Sequence, residues 1–333
     1  MKTIEYDYSI SFTRICAMFF IIICHLGSHF GSVFVGQLFN VGVPIFYLIS
    51  GYLYGNTKIK NVRTWLCKRL IRLYIPLLVW GMCDFSIRII RGNALPSLKE
   101  NIFFLLNLHG LNFLFYNMPD LAPGPWFFTV IMFCYFFVAA YQRLEQRHRI
   151  VNRIFHYGGI IVLGVFVILA FWGVSLPISF LVGYGLKKRT ILEKRRPYNI
   201  IVAIVVAIIA VGLRLGTKGF IDGTVLYDQV IVVVSHCMLS TAFFIGVRWL
   251  FELFEKQMED ISSSAVMRWL DKISIYVYIS HDWFIKDIFS LKLPLMVDFL
   301  IYFSEVFVVA SLLYILGESI SKKVMRTMNL LVQ

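Results

Sequence analysis

Ten apolar runs, most of them near the length a helix needs to cross a hydrocarbon core, leave this chain little choice of fold. They fall at about 10 to 29, 35 to 55, 73 to 90, 126 to 142, 157 to 173, 174 to 187, 198 to 214, 225 to 250, 273 to 292 and 295 to 320. With 59% hydrophobic and 15% charged residues over 333 positions, the chain cannot cover itself with a polar surface. An all-α integral membrane protein of about ten transmembrane helices is expected. The fifth and sixth runs are short, but a single span there would put KKRTILEKRRP and RLEQRHRIVNR on opposite sides. A hairpin turning near Ser175 and Pro177 keeps both basic clusters on one side.

The basic residues supply the orientation. With the N-terminus inside, 25 of the 32 Lys and Arg fall in cytoplasmic segments, leaving Arg88, Arg91, Lys99, Arg214, Lys218, Lys286 and Lys292 outside. Both termini are therefore expected in the cytoplasm. The same interleaving of basic clusters with apolar runs argues against nucleic acid as the partner of a +13 chain. Glu5 and Asp7, the interruption by Arg14 and the lack of a small-residue cleavage site argue against a signal peptide. NIFFLLNLHGLNFLFY, residues 101 to 116, is apolar but short and carries Asn107, His109 and Asn112. It is expected as an outer-surface or re-entrant helix, since a full crossing would reverse every later basic cluster. Neither repeats nor linkers divide the chain, so residues 1 to 333 are read as one membrane domain. Six unpaired cysteines read as small core residues rather than a disulfide or metal framework.

Within the first run, Arg14 and His25 stand eleven positions apart. Eleven steps of ~100° bring both side chains to one helix face, separated by ~16 Å of rise. A cation near the cytoplasmic surface thus lines up with an imidazole near the midplane, a depth at which ionisable groups usually serve function. After the second run, KIKNVRTWLCKRLIRLYIPLLVW places Lys58, Lys60, Arg63, Lys68, Arg69 and Arg72 together. Arg69 and Arg72 share a helix face before Pro76, and two guanidinium forks suit phosphate. Such clusters are more often topology signals and lipid contacts. His25 and His29 have the spacing of a helical metal pair, but no third ligand is near and no metal is expected. His109 and His236 read as structural histidines.

Taken together, these residues resemble the acyltransferase-3 family of bacterial membrane acyltransferases. The Arg14 and His25 pair is similar to that family's signature, and VGVPIFYLISGYLYG resembles its aromatic stretch leading into Ser50, Gly51 and Tyr52. Arg69 and Arg72 followed by Pro76 resemble its Arg-x-x-Arg element. PWFFTVIMFCY, with Trp126, resembles its Trp-led fourth span, and SIYVYISH, with Tyr276, Tyr278 and His281, resembles its Ser-Tyr-x-x-Tyr-x-x-His late span. Departures occur at Ile15 and Cys16, at Gly124 and Pro125, and at Asp282 after the late histidine.

The resemblance implies an O-acyltransferase of the bacterial cytoplasmic membrane. Its donor would be cytoplasmic acyl-CoA, usually acetyl-CoA, and its acceptor a hydroxyl of an envelope glycan or lipid-linked sugar. Acyl transfer needs a base of near-neutral pKa, which imidazole supplies, and a cationic grip on the nucleotide end of CoA. His25 is the expected general base or transient acyl carrier. His281 is a further catalytic candidate, and Arg14, Lys68, Arg69 and Arg72 are the expected contacts to CoA. Ser50, Tyr52, Trp126, Tyr278 and Asp282 are candidate positioning residues, although Ser beside Gly more often marks helix packing. Asp84, Asp228, Asp282 and Glu305 are the candidate carboxylate partners of His25. With no appended soluble transferase domain recognised, the acyl group would pass directly to the acceptor or to a separate protein. A homodimer is compatible with the sequence. The competing class is a transporter or flippase using Arg14, His25, Asp228 and Asp282 as substrate or proton-relay groups. It gives no reason for Arg69 and Arg72, and the runs show no repeated halves.

Overall fold

The structure is a computed structural model that describes residues 6–92, 94–108, 126–147, 177–189, 192, 198–224, 226–291 and 293–332. Its described residues form helices and no strands. Spatial proximity divides the chain into two compact units, one of Met1–Lys58 with Glu145–Asp271 and one of Ile59–Leu144 with Lys272–Gln333. Seven segments among the described residues are long and apolar enough to cross a membrane. They coincide with the first four expected runs and with the seventh, eighth and tenth. The protein is an all-α, multi-pass integral membrane protein.

In the first unit, α1 (Tyr8–His29) starts where the Asp7 carboxylate accepts the Ser9 backbone N–H. It ends at Gly31, whose φ of +71° allows the Ser32 N–H to reach back to the Gly27 carbonyl. Two helices, α2 (Val33–Phe39) and α3 (Gly42–Tyr54), occupy the second run and pack against α1. After the undescribed segment come α7 (Pro177–Lys188), α8 (Tyr198–Ile221), a π-helical turn at Leu226–Ile231, α9 (Val232–Leu253) and α10 (Glu255–Ser262). The sixth run is thus a helix of 12 residues, ~18 Å long and too short to cross alone. The fifth run lies outside the described residues. Ile45, Leu48, Ile49, Tyr52 and Phe244 form the centre of this unit's core.

In the second unit, α4 (Val62–Ile90) begins eleven residues ahead of the third run, capped by the Asn61 side chain on the Thr64 N–H. Arg63, Lys68, Arg69 and Arg72 of the basic cluster therefore share one continuous helix with the span, with Pro76 buried inside it. Next, α5 (Leu98–Leu105) opens with a capping box between Ser97 and Glu100. Its eight residues are too few to cross a membrane; the helix begins three residues before the expected 101 to 116 and ends at Leu105, and residues 109 to 116 lie outside the described residues. Phe104 packs on α4 beside Trp80, and the Tyr74 hydroxyl donates to the Leu105 carbonyl. Asn107 adopts a positive φ, ending the turn so that its carbonyl accepts from Thr129 of α6 (Trp126–Arg147). The ninth run is two helices, α11 (Ala265–Ser280) and α12 (Asp282–Phe289), broken at His281. The unit boundary passes through α11 between Asp271 and Lys272. Last comes α13 (Leu295–Val332), 38 residues packed on α4 and α12.

The tightest seam is between α3 and α7. A Cβ on Gly51 would run into the Phe180 carbonyl, and one on Gly183 would run into the Leu48 carbonyl. The two backbones touch with no side-chain layer between them, the packing that small residues permit within membranes. Gly51→Ala or Gly183→Ala should lower stability by about 1–3 kcal/mol through overpacking. Thermal unfolding of the purified chain should show this loss, whereas Gly185→Ala, whose Cβ would meet nothing within 4 Å, should behave as the parent protein.

Candidate active site

An arginine in an apolar helix needs a counter-charge. For Arg14 it comes from Asp271, 257 positions away in the sequence, at 2.6 Å. Guanidinium Nη1 donates to one carboxylate oxygen, while the other accepts from Ser11 (3.2 Å) and Tyr6 (3.1 Å). Partial burial raises the Tyr6 pKa above its ordinary value, and the Asp271 charge adds to the rise. The phenol therefore stays a donor. Asp271 was not among the carboxylates expected to matter. Its only signal was its place two residues ahead of the ninth run, on the side expected to be cytoplasmic, as for Arg14.

A second pair closes the same end of the unit. Asp7, already the cap of α1, accepts from Arg248 Nη1 at 3.0 Å. The Arg248 guanidinium lies 5.4 Å from the Tyr52 ring centre, and Lys187 Nζ lies 5.1 Å from it. Tyr52 is buried against Phe244, with ring centres 4.9 Å apart. Its ring therefore carries two cations at this end, each favoured by the aromatic quadrupole. A cavity of about 480 Å³ opens beside Asp7 and Arg248 and is lined also by Glu252, Glu255 and Glu259. Four carboxylates against one guanidinium make it a poor receptor for the phosphates of CoA.

His25 is half-buried on α1 and lies four residues before the last residue of that helix. Because α1 runs from Tyr8 to His29, the imidazole sits nearer the C-terminal end of the helix than its middle. His29 is exposed and edge-on to Phe30. Ser50 is half-buried beside Gly51 at the α3 seam. Of the carboxylates considered for His25, Asp84 is held by Arg88 one turn further along α4 at 2.8 Å, and Glu305 is exposed on α13. Asp282 is half-buried at the first position of α12, and the Asp228 side chain lies outside the described residues.

The second unit gathers the other motif residues. Lys68 and Arg72 are exposed on α4, and Arg69 is half-buried with its guanidinium 5.8 Å from the Trp65 ring centre. Trp126 opens α6 and is half-buried; the next two residues, Phe127 and Phe128, flank Tyr278 at 5.2 and 6.3 Å between ring centres. Tyr276 reaches α13, where its hydroxyl fills the space a side chain on Gly317 would need. His281 is buried at the helix break, with Nδ1 2.7 Å from the Tyr278 carbonyl and its own carbonyl accepting from Tyr302. A carbonyl can only accept, so Nδ1 carries the proton and Nε2 the lone pair. In its neutral form the imidazole therefore offers Nε2 as the nitrogen that can take a proton.

Neutralising either member of the Arg14 and Asp271 pair leaves a partly buried charge without its counter-ion. Asp271→Asn and Arg14→Gln should each cost about 1–3 kcal/mol of stability. A double-mutant cycle read by thermal unfolding should show coupling of about 1 kcal/mol or more. Additive losses would show that the pair does not hold these helix ends together.

Comparison with curated proteins and with solved structures returns no match. The acyltransferase-domain family does match, over residues 7–317, and so takes in both units and every motif described above. This chain belongs to the acyltransferase-3 family and is a multi-pass membrane acyltransferase.

Proposed function

We propose that the protein is an O-acyltransferase that moves a short acyl group, acetyl in the first instance, from cytoplasmic acyl-CoA to a hydroxyl of an envelope glycan or its lipid-linked precursor. It would act in the bacterial cytoplasmic membrane. The observation that carries the reading is the family match over both units. Arg69 and Arg72, with Lys68, supply the grip on the CoA phosphates: they lie on the first turns of α4, ahead of Pro76, and Arg69 is braced on Trp65. Arg14, neutralised by Asp271, orients the start of α1 and keeps its remaining N–H groups for a polar ligand. The acid-lined cavity of the first unit disfavours the donor's phosphates, which leaves the α4 cluster to bind them.

In the transfer step His25 accepts the proton of the acceptor hydroxyl. The oxygen forms a bond to the thioester carbonyl carbon, the C–S bond breaks, and the thiolate leaves and takes a proton to become CoA-SH. His281, with its lone pair on Nε2, is the second imidazole suited to proton work. Tyr278 supports it through the carbonyl that holds Nδ1.

Purified protein supplied with radiolabelled acetyl-CoA and a lipid-linked sugar should transfer label, and His25→Ala should reduce transfer by about 10²–10⁴-fold while leaving the protein folded. Arg69→Ala or Arg72→Ala should raise the KM for acetyl-CoA by about tenfold or more each. Undiminished transfer in the His25 variant would remove it from the chemistry. Label retained on the parent protein and lost in that variant would assign His25 as acyl carrier rather than base.

A further inference from the structure

The first unit holds a buried polar pair that the acyl-transfer chemistry does not use. Arg214 of α8 and His236 of α9 are 6% and 2% exposed, with Arg214 Nη1 2.7 Å from His236 Nε2. Every guanidinium N–H is a donor, so Nε2 must accept and the imidazole proton must sit on Nδ1. Arg214 Nε and His236 Nδ1 are both buried and have no hydrogen-bond partner among the described residues. The pair therefore offers two unused donors, a full positive charge and no acceptor. Neutral His236 cannot supply the counter-charge that a buried guanidinium needs.

Position says which kind of anion could reach it. Ala203, Ala210 and Arg214 form the buried stripe of α8, the face that packs on α9. The other face exposes Ile201, Ile204, Ile208 and Leu215, and α8 is the least buried of the seven spanning segments. Exposed apolar side chains on a spanning helix face lipid tails. Arg214 stands ~24 Å of helix rise beyond Tyr198, the end next to the basic cluster of 187 to 196, so the pair lies toward the outer membrane surface. The Tyr227 hydroxyl donates to the Arg214 carbonyl at 3.1 Å and fixes this end of α8 to the π-helical turn. Arg214 is also within electrostatic range of Cys24, the residue before His25.

We propose that Arg214 and His236 form a binding site for the phosphate of a lipid, reached along the seam between α8 and α9 from the hydrocarbon that α8 borders. With His236 on Nη1 and the Tyr227 phenol also against the guanidinium, Nε is left to donate to a phosphate oxygen, and His236 Nδ1 is a further donor. The phosphate belongs either to the isoprenoid carrier of the acceptor sugar, which rests on the transferase reading above, or to a bilayer phospholipid. An isoprenoid phosphate held here would bring its sugar to the level of His25.

The test uses the full chain in phosphatidylcholine nanodiscs, without acyl-CoA, so its outcome is independent of the donor assay. Farnesyl phosphate should bind and raise the melting temperature, while farnesol, the same chain without phosphate, should bind at least about tenfold more weakly. Arg214→Gln should lose the preference, and Arg214→Lys, which keeps charge without the fork, should retain only part of it. Equal binding of the two farnesyl compounds by the parent protein overturns the proposal and needs no variant to fold. So does an Arg214→Gln protein that melts cooperatively and still prefers the phosphate. An affinity gain of about tenfold in Asp228→Asn also overturns it, because Arg214 would then draw its counter-charge from the protein. Competition by an equal concentration of phosphatidylglycerol assigns the site to bilayer lipid, and its failure assigns the isoprenoid carrier. A positive lipid result beside a failed acetyl-CoA assay would keep the site and discard the transferase reading.

Discussion

Charge is expensive in hydrocarbon, and the start of α1 is arranged around the partners that two arginines of the first unit require. Arg14 is met by Asp271 and Arg248 by Asp7, each pair joining residues more than 240 positions apart in the sequence. Because Asp7 also caps α1, the first helix starts where the eighth run ends. Tyr6 and Ser11 complete the Asp271 carboxylate, so neither of its oxygens is left to water alone. Arg14, Asp271, Asp7 and Arg248 thereby set the register of α1 against the chain that follows α9. The position of His25, three turns along the same helix, is inherited from that anchoring.

Much of this layout was legible in the sequence. Long apolar runs report crossings without any knowledge of packing, which is why seven segments fall where hydropathy placed them. The shared face of Arg14 and His25 follows from helical period alone. Asp271 was not legible, because pairing across 257 positions leaves no trace in local spacing. The break at His281 was also hidden: SIYVYISHDWFI carries no Gly or Pro to mark it, and the interruption is held by the Tyr302 hydroxyl on the His281 carbonyl and by the Tyr278 carbonyl on the imidazole.

The family signature divides between the units. Arg14, His25 and the Ser50-Gly51-Tyr52 element belong to the first, while Arg69, Arg72, Trp126 and the Tyr276-Tyr278-His281 element belong to the second. Within each unit some signature residues are chemical in character and others architectural. Tyr278 buries its ring between Phe127 and Phe128, and its carbonyl selects the tautomer of His281, so it acts on chemistry through packing. Gly51 is architectural outright. A signature read as a catalogue of catalytic groups would overstate the size of the reaction centre.

The seam between α3 and α7 has a mechanical side. Interfaces built from interlocking side chains can adjust, because rotamers change and neighbouring rings slide. Two backbones in van der Waals contact at Gly51 and Gly183 have no such compliance, and neither water nor a lipid tail can wedge between them. Tyr52 on one helix and Lys187 on the other are thus fittings on a single rigid bracket. The backbone contact fixes how far the root of the lysine stem stands from the ring, so the distance the cation must span is set by the seam rather than by side-chain packing.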